Sequence, residues 1–244
     1  MTDLHCHILP GLDDGAQTME DSLEMARLAA ASGVRAIVAT PHCNLPFHEP
    51  DNLLSPELLQ AVAGLRQAVE TAGIPLKIYP GAEVFCTPDV ETLLREQKLM
   101  TLGATRYRLM EFYFDEDPDF MEECFCAVTA QGCVPVVAHP ERYEAIQRNP
   151  DRIVSWFTNG RIIQLNKGSI LGKLGTRAQQ ASQWILERGL AHAVASDAHS
   201  PHARTTFMGE VRRLLEEEYA PAYARILLSE NPARLLKDLP PVEP

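Results

Sequence analysis

Residues 5–16 of the chain read His5-Cys6-His7-Ile8-Leu9-Pro10-Gly11-Leu12-Asp13-Asp14-Gly15-Ala16. The residues that lead into this stretch predict a short strand, Thr2–His7. Alternate residues of a strand point to the same side, so His5 and His7 face together while Cys6 faces away. Two aspartates follow at once. The stretch therefore combines a strand with a cluster of possible metal ligands at its end.

The same combination recurs along the chain, where short aliphatic runs alternate with helical periods. Strands that alternate with helices predict right-handed βαβ units and a parallel sheet. About seven such units favour a closed α/β barrel over an open sheet, because closure leaves no exposed edge. The predicted strands are Thr2–His7, Val34–Thr40, Leu76–Val84, Arg108–Phe112, Val134–Ala138, Ile162–Leu165 and Ala191–Ser196.

Two helices have clear start signals. Thr18 with Asp21 is typical of a capping box, and Ser55-Pro56 places a cap before a first-turn proline. The second of these helices presents Leu58, Val62, Leu65 and Val69 on one face. Further helices are predicted at Asp89–Gln97, Pro118–Gln131, Asp151–Thr158, Gly175–Arg188, Arg204–Glu218 and Pro221–Leu228.

Length and charge narrow the class of protein. A chain of 244 residues suits one barrel domain spanning 1–244. The net charge of −11 argues against binding to nucleic acid or to an anionic membrane. Neither an apolar span nor a signal peptide is evident, so a cytoplasmic protein is expected. None of the six cysteines lies in a Cys-x5-Arg motif, which excludes a cysteine-based phosphatase.

Nearly every predicted strand ends in a side chain that could bind a metal ion. The carboxyl ends of parallel barrel strands meet at one mouth, so these side chains should converge there. Imidazoles and carboxylates together suit Zn, Mn or Fe, and their number exceeds the needs of one ion. A multinuclear site is therefore expected, with candidates His5, His7, Asp14, His42, Glu83, Glu111, His139, Asp197 and His199.

Two arginines near this mouth indicate the chemistry. Divalent ions that share a carboxylate activate water and hold a phosphoryl group, and a guanidinium fork matches phosphate oxygens. Arg142 follows His139, and Arg204 follows His199. Alternatives stay open, because Arg142 could instead pair with Glu141 or Glu144, and Arg204 could simply begin a helix.

These motifs resemble the metal-dependent bacterial tyrosine phosphatases of the polymerase-and-histidinol-phosphatase (PHP) superfamily. The likeness spans the chain and includes residues 5–16, Thr40-Pro41-His42, Gly81-Ala82-Glu83, Leu109-Met110-Glu111-Phe112, His139-Pro140-Glu141-Arg142-Tyr143 and Ser196-Asp197-Ala198-His199. The resemblance implies a distorted seven-stranded TIM-like barrel. It also implies hydrolysis of phosphotyrosine, notably in the tails of bacterial autokinases that control capsule and exopolysaccharide assembly.

The resemblance also assigns ligands to three divalent ions, with Mn favoured and Fe or Zn possible. His5, His7, Glu83 and Asp197 would hold the first ion. Glu83 would bridge to a second ion that Glu111 and His139 also hold, and Asp14, His42 and His199 would hold the third. Arg142 and Arg204 would bind phosphate, and Asp14 and His42 join them as catalytic candidates. A general acid is not required for a phenolate leaving group, and His42 and His199 are weak candidates for one.

Two positions depart from the family pattern. Ala82 stands where the family has Gln, and Asn166-Lys167 stands where Thr-Ala is expected, so Lys167 would add positive charge near the mouth. These departures leave the substrate open between phosphotyrosine and a small phosphate ester such as histidinol phosphate. A polymerase-type nuclease is disfavoured by the acidic charge. A metal-stabilised scaffold that docks a kinase remains as the non-enzymatic alternative.

Other polar residues are assigned more loosely. Asp13 is expected to cap or orient rather than to bind metal. His48 and His202 are placed in loops near the mouth, either solvated or facing substrate. His192 is expected to be structural, at the opposite end of its strand.

Overall fold

The strands of the protein are short, and those among the described residues pair in parallel. The computed structural model describes residues 1–47 and 51–243. The strands are β1 (Thr2–Cys6), β2 (Ala36–Ala39), β3 (His42–Cys43), β4 (Lys77–Pro80), β5 (Glu83–Phe85), β6 (Tyr107–Glu111), β7 (Val134–Ala138), β8 (Ile162–Asn166) and β9 (Ala193–Ala195).

The strands form two sheets that continue into each other. One sheet has the order β1-β2-β4 and the other has the order β3-β5-β6-β7-β8-β9. The pairing offset is the same in both, since Ala39 pairs with Pro80 and His42 with Glu83, each 41 residues apart. β2 therefore continues as β3, and β4 as β5, each interrupted for two residues. Counted this way, seven strands succeed one another.

The last strand lies beside the first. Asp197 N–H donates to His5 O at 2.9 Å, and His7 N–H donates to Ala198 O at 2.9 Å. Cys6 and Ala198 form a parallel bridge. These contacts bring β9 against β1, as a seven-stranded barrel requires. The predicted class, a distorted α/β barrel, is confirmed.

The prediction of one strand over Leu76–Val84 is wrong, because that segment contains both β4 and β5. Pro80 has no N–H to donate to a neighbour. At Gly81 the backbone comes so close to β2 that a Cβ would lie 2.6 Å from Val38 Cγ1. The break turns Glu83 to the mouth. The matching break at Thr40-Pro41 was not predicted, and neither was the short strand β3.

The helices surround the strands. The capping box of Thr18 and Asp21 begins α1, and the Ser55 cap with Pro56 begins α2, as predicted. The helices are α1 (Met19–Ala31), α2 (Pro56–Thr71), α3 (Val90–Arg95), α4 (Pro118–Ala130), α5 (Glu144–Arg148), α6 (Arg152–Thr158), α7 (Lys167–Ile170), α8 (Thr176–Glu187), α9 (Gly209–Glu218), α10 (Pro221–Arg225) and α11 (Asn231–Leu235).

Two helix boundaries differ from the prediction by more than two residues. The helix expected from Arg204 begins at Gly209, because Arg204 has a φ of +50° and cannot lie inside a right-handed helix. The final helical stretch runs past Leu228, since a π-helical turn at Ile226–Glu230 connects α10 to α11.

Buried apolar side chains form two layers. Alternate residues of the strands, such as Leu4, Val38, Leu109 and Val136, fill one cluster inside the barrel. A larger cluster lies between the strands and the helices. Within the described ranges, no helix is both long and apolar enough to cross a membrane. Packing on both faces fixes the strand ends, which carry the polar site.

Candidate metal centre

His5 and His7 lie together at the end of β1. Their Nε2 atoms are 3.2 Å apart, and both side chains are fully buried. Each ring is oriented through its other nitrogen. Gln164 Oε1 lies 3.0 Å from His5 Nδ1, and Asp13 Oδ2 lies 2.7 Å from His7 Nδ1. The pair therefore presents two imidazole nitrogens to one point, as the i, i+2 spacing predicted.

Glu83 is the centre of the cluster. Its Oε2 lies 3.1 Å from His5 Nε2, 3.2 Å from His7 Nε2 and 3.1 Å from His42 Nδ1. Its Oε1 lies 3.1 Å from His139 Nε2. A single buried carboxylate thus contacts four imidazoles from three other strand ends.

Glu111 and Asp197 extend the cluster on its two sides. Glu111 Oε1 lies 3.3 Å from His139 Nε2, and its Oε2 lies 3.3 Å from His42 Nδ1. Asp197 Oδ1 lies 3.5 Å from His5 Nε2. The other oxygen of Asp197 accepts from Asn166 Nδ2 at 2.5 Å and from Arg204 Nη2 at 2.6 Å.

Asp14 stands on the open side of the cluster. Its Oδ1 lies 3.6 Å from His42 Nε2 and 3.4 Å from His199 Nε2. The Asp14 side chain is 66 % exposed, whereas His42 and His199 are mostly buried. This group is the part of the cluster that solvent reaches most easily.

The donor atoms fall into three sets, each within 4.8 Å: His5, His7 and Glu83; His42, Glu83 and Glu111; and His7, Asp14, His42 and His199. All nine candidate ligands lie at this mouth. The sets overlap with the expected ligand groups, and His42 adjoins the pair Glu83 and Glu111 as closely as His139 does.

The cluster has the chemistry of a metal site. Glu83 Oε2, His42 Nδ1 and His139 Nδ1 are buried, and none makes a well-oriented hydrogen bond among the described residues, although Glu83 Oε2 and His42 Nδ1 are 3.1 Å apart. Such groups are costly unless something binds them. A tetrahedral ion with bonds of about 2.1 Å holds its ligand atoms about 3.4 Å apart, close to the spacings here. The residues present fit divalent ions.

The carboxylates of the cluster hold protons on its imidazoles, and a cation would compete with these protons. Burial opposes the charged form of His42, but Glu83 and Glu111 outweigh it and raise its pKa to about 10. Burial likewise opposes charge on His139, whose pKa Glu111 and Glu83 raise to about 9. The pKa of Glu83 is held well below its usual value, because His5 and His42 outweigh its burial. An ion would replace the imidazole protons, so metal affinity should fall in acid.

Asp13 orients ligands and does not face the cluster. Its Oδ2 accepts from His7 Nδ1 and from the His42 backbone N–H, the latter at 2.9 Å, and its Oδ1 accepts from Gly15 N–H. It thereby ties the loop after β1 to β3. This agrees with the orienting role expected of Asp13.

Gln164 and Asn166 were missed as site residues by the sequence reasoning. Both belong to β8, and they contact His5 and Asp197 respectively. The available signal was positional: β8 was the one predicted strand with no ligand at its end. Asn and Gln also occur at many positions outside the site, so residue type alone did not identify these two as site residues.

Three site residues have left-handed backbone. The φ angles are +33° for His139, +48° for Asp197 and +50° for Arg204. Residues other than glycine adopt this region at a cost, and such strain concentrates at functional sites. The strand ends are bent here so that the side chains turn into the mouth.

Both arginines reach the cluster. Arg142 Nη1 lies 3.5 Å from Asp197 Oδ2, and the same oxygen accepts from Arg204. The alternative partners of Arg142 are engaged elsewhere, since Glu144 pairs with Arg148 and Glu141 accepts from Asn166 N–H. Two partly exposed guanidiniums therefore flank one edge of the metal ligands.

The remaining polar candidates lie around or away from the mouth. Lys167 Nζ donates to the carbonyls of Thr205 and Phe207, so it supports the loop that carries Arg204 rather than facing the ligands. His202 is exposed in that loop, and His48 lies outside the described residues. His192 Nδ1 accepts from Ile163 N–H at 3.0 Å, far from the ligands along its strand, as a structural role predicts.

Aromatic side chains stand exposed around the mouth. Phe47 follows β3, Tyr113 and Phe114 follow β6, and Phe207 lies in the loop after Arg204. The Arg142 guanidinium lies over the Phe114 ring, with its Cζ 4.3 Å from the ring centroid. The ring of Phe114 is 43 % exposed, and its centroid is 6.2 Å from that of His139. An apolar ring surface therefore adjoins the charged cluster.

Comparisons with known proteins agree on one family. Residues 1–237 match the family model for capsular polysaccharide synthesis, CpsB/CapC. Tyrosine-protein phosphatase YwqE of Bacillus subtilis (strain 168) is 37% identical over 238 residues, which cover 98% of this chain and 92% of that protein. Tyrosine-protein phosphatase CpsB of Streptococcus pneumoniae is 29% identical over 244 residues, covering 98% and 99%.

A solved structure agrees in fold along the whole chain. It comes from work on YwqE from Bacillus subtilis and CpsB from Streptococcus pneumoniae, described as metal-dependent tyrosine phosphatases. The match has a TM-score of 0.90 and 36% sequence identity, and it covers 100% of this chain and 99% of the other.

Proposed function

The chain belongs to the CpsB/CapC family of capsular polysaccharide synthesis, and from this premise we propose that it is a metal-dependent phosphatase that removes phosphate from phosphotyrosine in proteins. The observation that carries the proposal is the buried cluster around Glu83, with Arg142 and Arg204 beside it. Relatives named tyrosine-protein phosphatases, similar over nearly their whole length, support the same reaction.

We assign the ligands to three divalent ions. His5, His7, Glu83 and Asp197 would hold the first ion. Glu83, Glu111 and His139 would hold the second, and Asp14, His42 and His199 the third. Mn²⁺ is the proposed native ion, although imidazole and carboxylate donors also accept Fe and Zn. When bound, such ions supply Lewis acidity toward phosphoryl oxygens and lower the pKa of water.

The side chains of the chain itself bind and orient the phosphate. Arg142 and Arg204 donate to the phosphoryl oxygens, and their planar forks match two oxygens at a time. Both guanidiniums now share Asp197 Oδ2 as an acceptor. The Arg142 guanidinium also lies over the Phe114 ring, and this contact limits its loss of conformational freedom when phosphate binds. Asp14 and His42 lie at the open side, where they would hold the third ion with His199.

The exposed aromatic residues favour an aryl phosphate over a small polar ester. A phosphorylated tyrosine would place its phosphate at the arginines and its ring near Phe114 and Tyr113. An exposed ring at an open mouth suits a side chain that projects from a polypeptide. The alternative, a phosphatase for histidinol phosphate, gains no comparable support from these residues.

The proposed substrate is a phosphotyrosine-bearing tail of a bacterial tyrosine kinase in polysaccharide export. This follows from the family's connection with capsule synthesis and is the finer part of the proposal. We propose that the protein acts in the cytoplasm, where such a tail would be found, and that residues 1–244 act as one domain.

The test is steady-state hydrolysis of phosphotyrosine, phosphoserine and histidinol phosphate by one Mn-loaded sample. We expect a clear preference in kcat/KM for phosphotyrosine. A strong preference for histidinol phosphate would instead establish the alternative. Arg142→Gln should abolish most turnover while the protein stays folded and binds Mn²⁺, and Arg212→Gln, at an exposed position of α9, is the matched control. Absence of turnover in the Mn-loaded wild type would favour a scaffold, and unchanged turnover in Arg142→Gln would contradict the phosphate-binding role of Arg142.

A further inference from the structure

One buried arginine, Arg108, lies in the layer outside the barrel strands, away from the metal centre. Arg108 belongs to β6, the strand that carries Glu111 at its end. Successive strand residues alternate in direction, so Arg108 faces the outer layer with Met110, while Leu109 faces the interior. Arg108 thus takes no part in the proposed reaction.

The guanidinium of Arg108 is buried, and no counter-charge reaches it from the described residues. The residue is 7 % exposed, and one hydrogen bond is formed, from Nη2 to Leu99 O at 3.0 Å. Its Nε is buried and has no hydrogen-bond partner among the residues that the structure describes. In the chain as described, 1–47 and 51–243, no carboxylate forms an ion pair with it. Burial lowers the pKa of Arg108, but an arginine remains charged in a protein. A buried cation of this kind is costly unless an anion reaches it.

A cavity of about 420 Å³ opens beside Arg108. This volume is within the range of small-molecule sites in proteins. Its walls are mainly apolar, and Arg108 is the one residue among those described around it that carries a formal charge. Gln97, Thr101 and Gln131 add neutral hydrogen-bonding groups.

Two leucines of the cavity wall are exposed to solvent. Leu54 is 42 % exposed and Leu59 is 47 % exposed. Leu54 precedes α2, and Leu59 lies in the first turn of α2. Exposed leucines next to a cavity mark a surface that the apolar part of a ligand can cover. The cavity therefore combines a buried positive charge with an apolar wall that is partly uncovered.

We propose that this cavity binds a small amphipathic monocarboxylate, with its carboxylate on Arg108 and its apolar body against Leu54 and Leu59. A carboxylate accepts hydrogen bonds from a guanidinium and would supply the counter-charge that Arg108 lacks among the described residues. The apolar body would remove the leucines from water. The site is separate from the phosphate-binding arginines and independent of the proposed reaction.

The test measures thermal unfolding of the Mn-loaded full chain with octanoate as the probe. Millimolar octanoate should raise the Tm by roughly 2–4 °C, as a ligand well above its Kd does for a domain of this size. Acetate, which lacks the apolar body, and 1-octanol, which lacks the charge, should leave the Tm unchanged. No rise with octanoate, or an equal rise with 1-octanol, contradicts the proposal.

Variants locate the site. Arg108→Met should remove the octanoate effect and leave the ligand-free Tm equal or higher, because it replaces an unpaired buried charge with an apolar chain of similar size. Arg142→Gln should keep the octanoate effect. If the effect survives in Arg108→Met, or disappears in Arg142→Gln, octanoate binds elsewhere and the proposal fails.

A second substitution covers the case in which Arg108→Met does not fold. Arg108→Lys keeps the charge but loses the planar fork, so octanoate should bind at least about five-fold more weakly in a calorimetric titration. Unchanged affinity in Arg108→Lys would also overturn the proposal.

Discussion

At the scale of single residues, the site depends on groups that hold its ligands in place. Asp13 binds His7 Nδ1 and the backbone of His42, so it fixes two ligands with one carboxylate. Gln164 orients a third ligand, because its Oε1 lies 3.0 Å from His5 Nδ1. Outer partners of this kind set the tautomer and direction of an imidazole.

Asp13→Asn should weaken metal binding without removing a ligand. The amide keeps the size of the side chain but weakens the charge-assisted bond to His7, so we expect affinity for Mn²⁺ to fall about 10–100-fold. Competition with a chromogenic chelator measures it. Asp151→Asn is the matched control, because Asp151 is exposed and caps no helix N–H through its side chain. Equal affinities in the two variants would remove the orienting role of Asp13.

Phe114 is predicted to contribute to selectivity for aryl phosphates. Phe114→Ala removes the ring beneath Arg142 and beside the mouth, so kcat/KM for phosphotyrosine should fall about 10-fold, in line with the loss of an aromatic contact. For phosphoserine the loss should be smaller. The measurement is the ratio of the two kcat/KM values, with Val154→Ala on α6 as the exposed apolar control. Equal losses for both substrates would assign Phe114 to holding Arg142 alone.

At the scale of elements, tight contacts between segments decide where the ligands point. Gly15 lies in the loop after β1, where an added Cβ would come 2.2 Å from His7 O and 2.4 Å from His7 Cβ. That loop can therefore pass the strand end only with glycine. Gly64 is different, since nothing lies within 4 Å of the Cβ position in the middle of α2.

Alanine at these two glycines should have opposite effects. Gly15→Ala should destabilise the protein by about 1–3 kcal/mol and weaken Mn²⁺ binding, because His7 must move. Gly64→Ala should stabilise it by about 0.5–1 kcal/mol, since alanine is the better helix former. Chemical denaturation of the two variants checks both signs. A Gly15→Ala protein as stable as the wild type would mean that the loop can shift freely.

At the scale of the whole molecule, the barrel separates the polar mouth from a mainly apolar region at the other end of its strands. His192 lies in that region, stacked on Phe157 with ring centroids 4.7 Å apart. Burial lowers its pKa to about 4. Its ordinary value is about 6.5, so the unfolded chain binds more protons between these two pH values. The neutral ring therefore stabilises the fold fully above about pH 6.5, and this contribution is lost as the pH falls toward 4.

His192→Gln should reveal this dependence by difference. At pH 7 the variant should be less stable than the wild type. The difference in free energy of unfolding between the two proteins should narrow by about 2 kcal/mol from pH 7 to pH 4.5, because only the wild type has this histidine to protonate. Urea unfolding of metal-free protein at both pH values measures the difference, and titration of the metal ligands is common to both proteins. A difference that stays constant with pH would contradict the depressed pKa.

The sequence by itself determined the alternation of strands and helices, the helix caps at Thr18 and Ser55, and the ligand types at the strand ends. These follow from local spacing, because a strand turns alternate residues to one side and parallel strands end together. Only the tertiary structure decided the breaks at Thr40-Pro41 and Gly81-Ala82, the support from Gln164 and Asn166, and the unpaired burial of Arg108. Those features depend on close packing between segments far apart in the chain, and no local pattern carries that information.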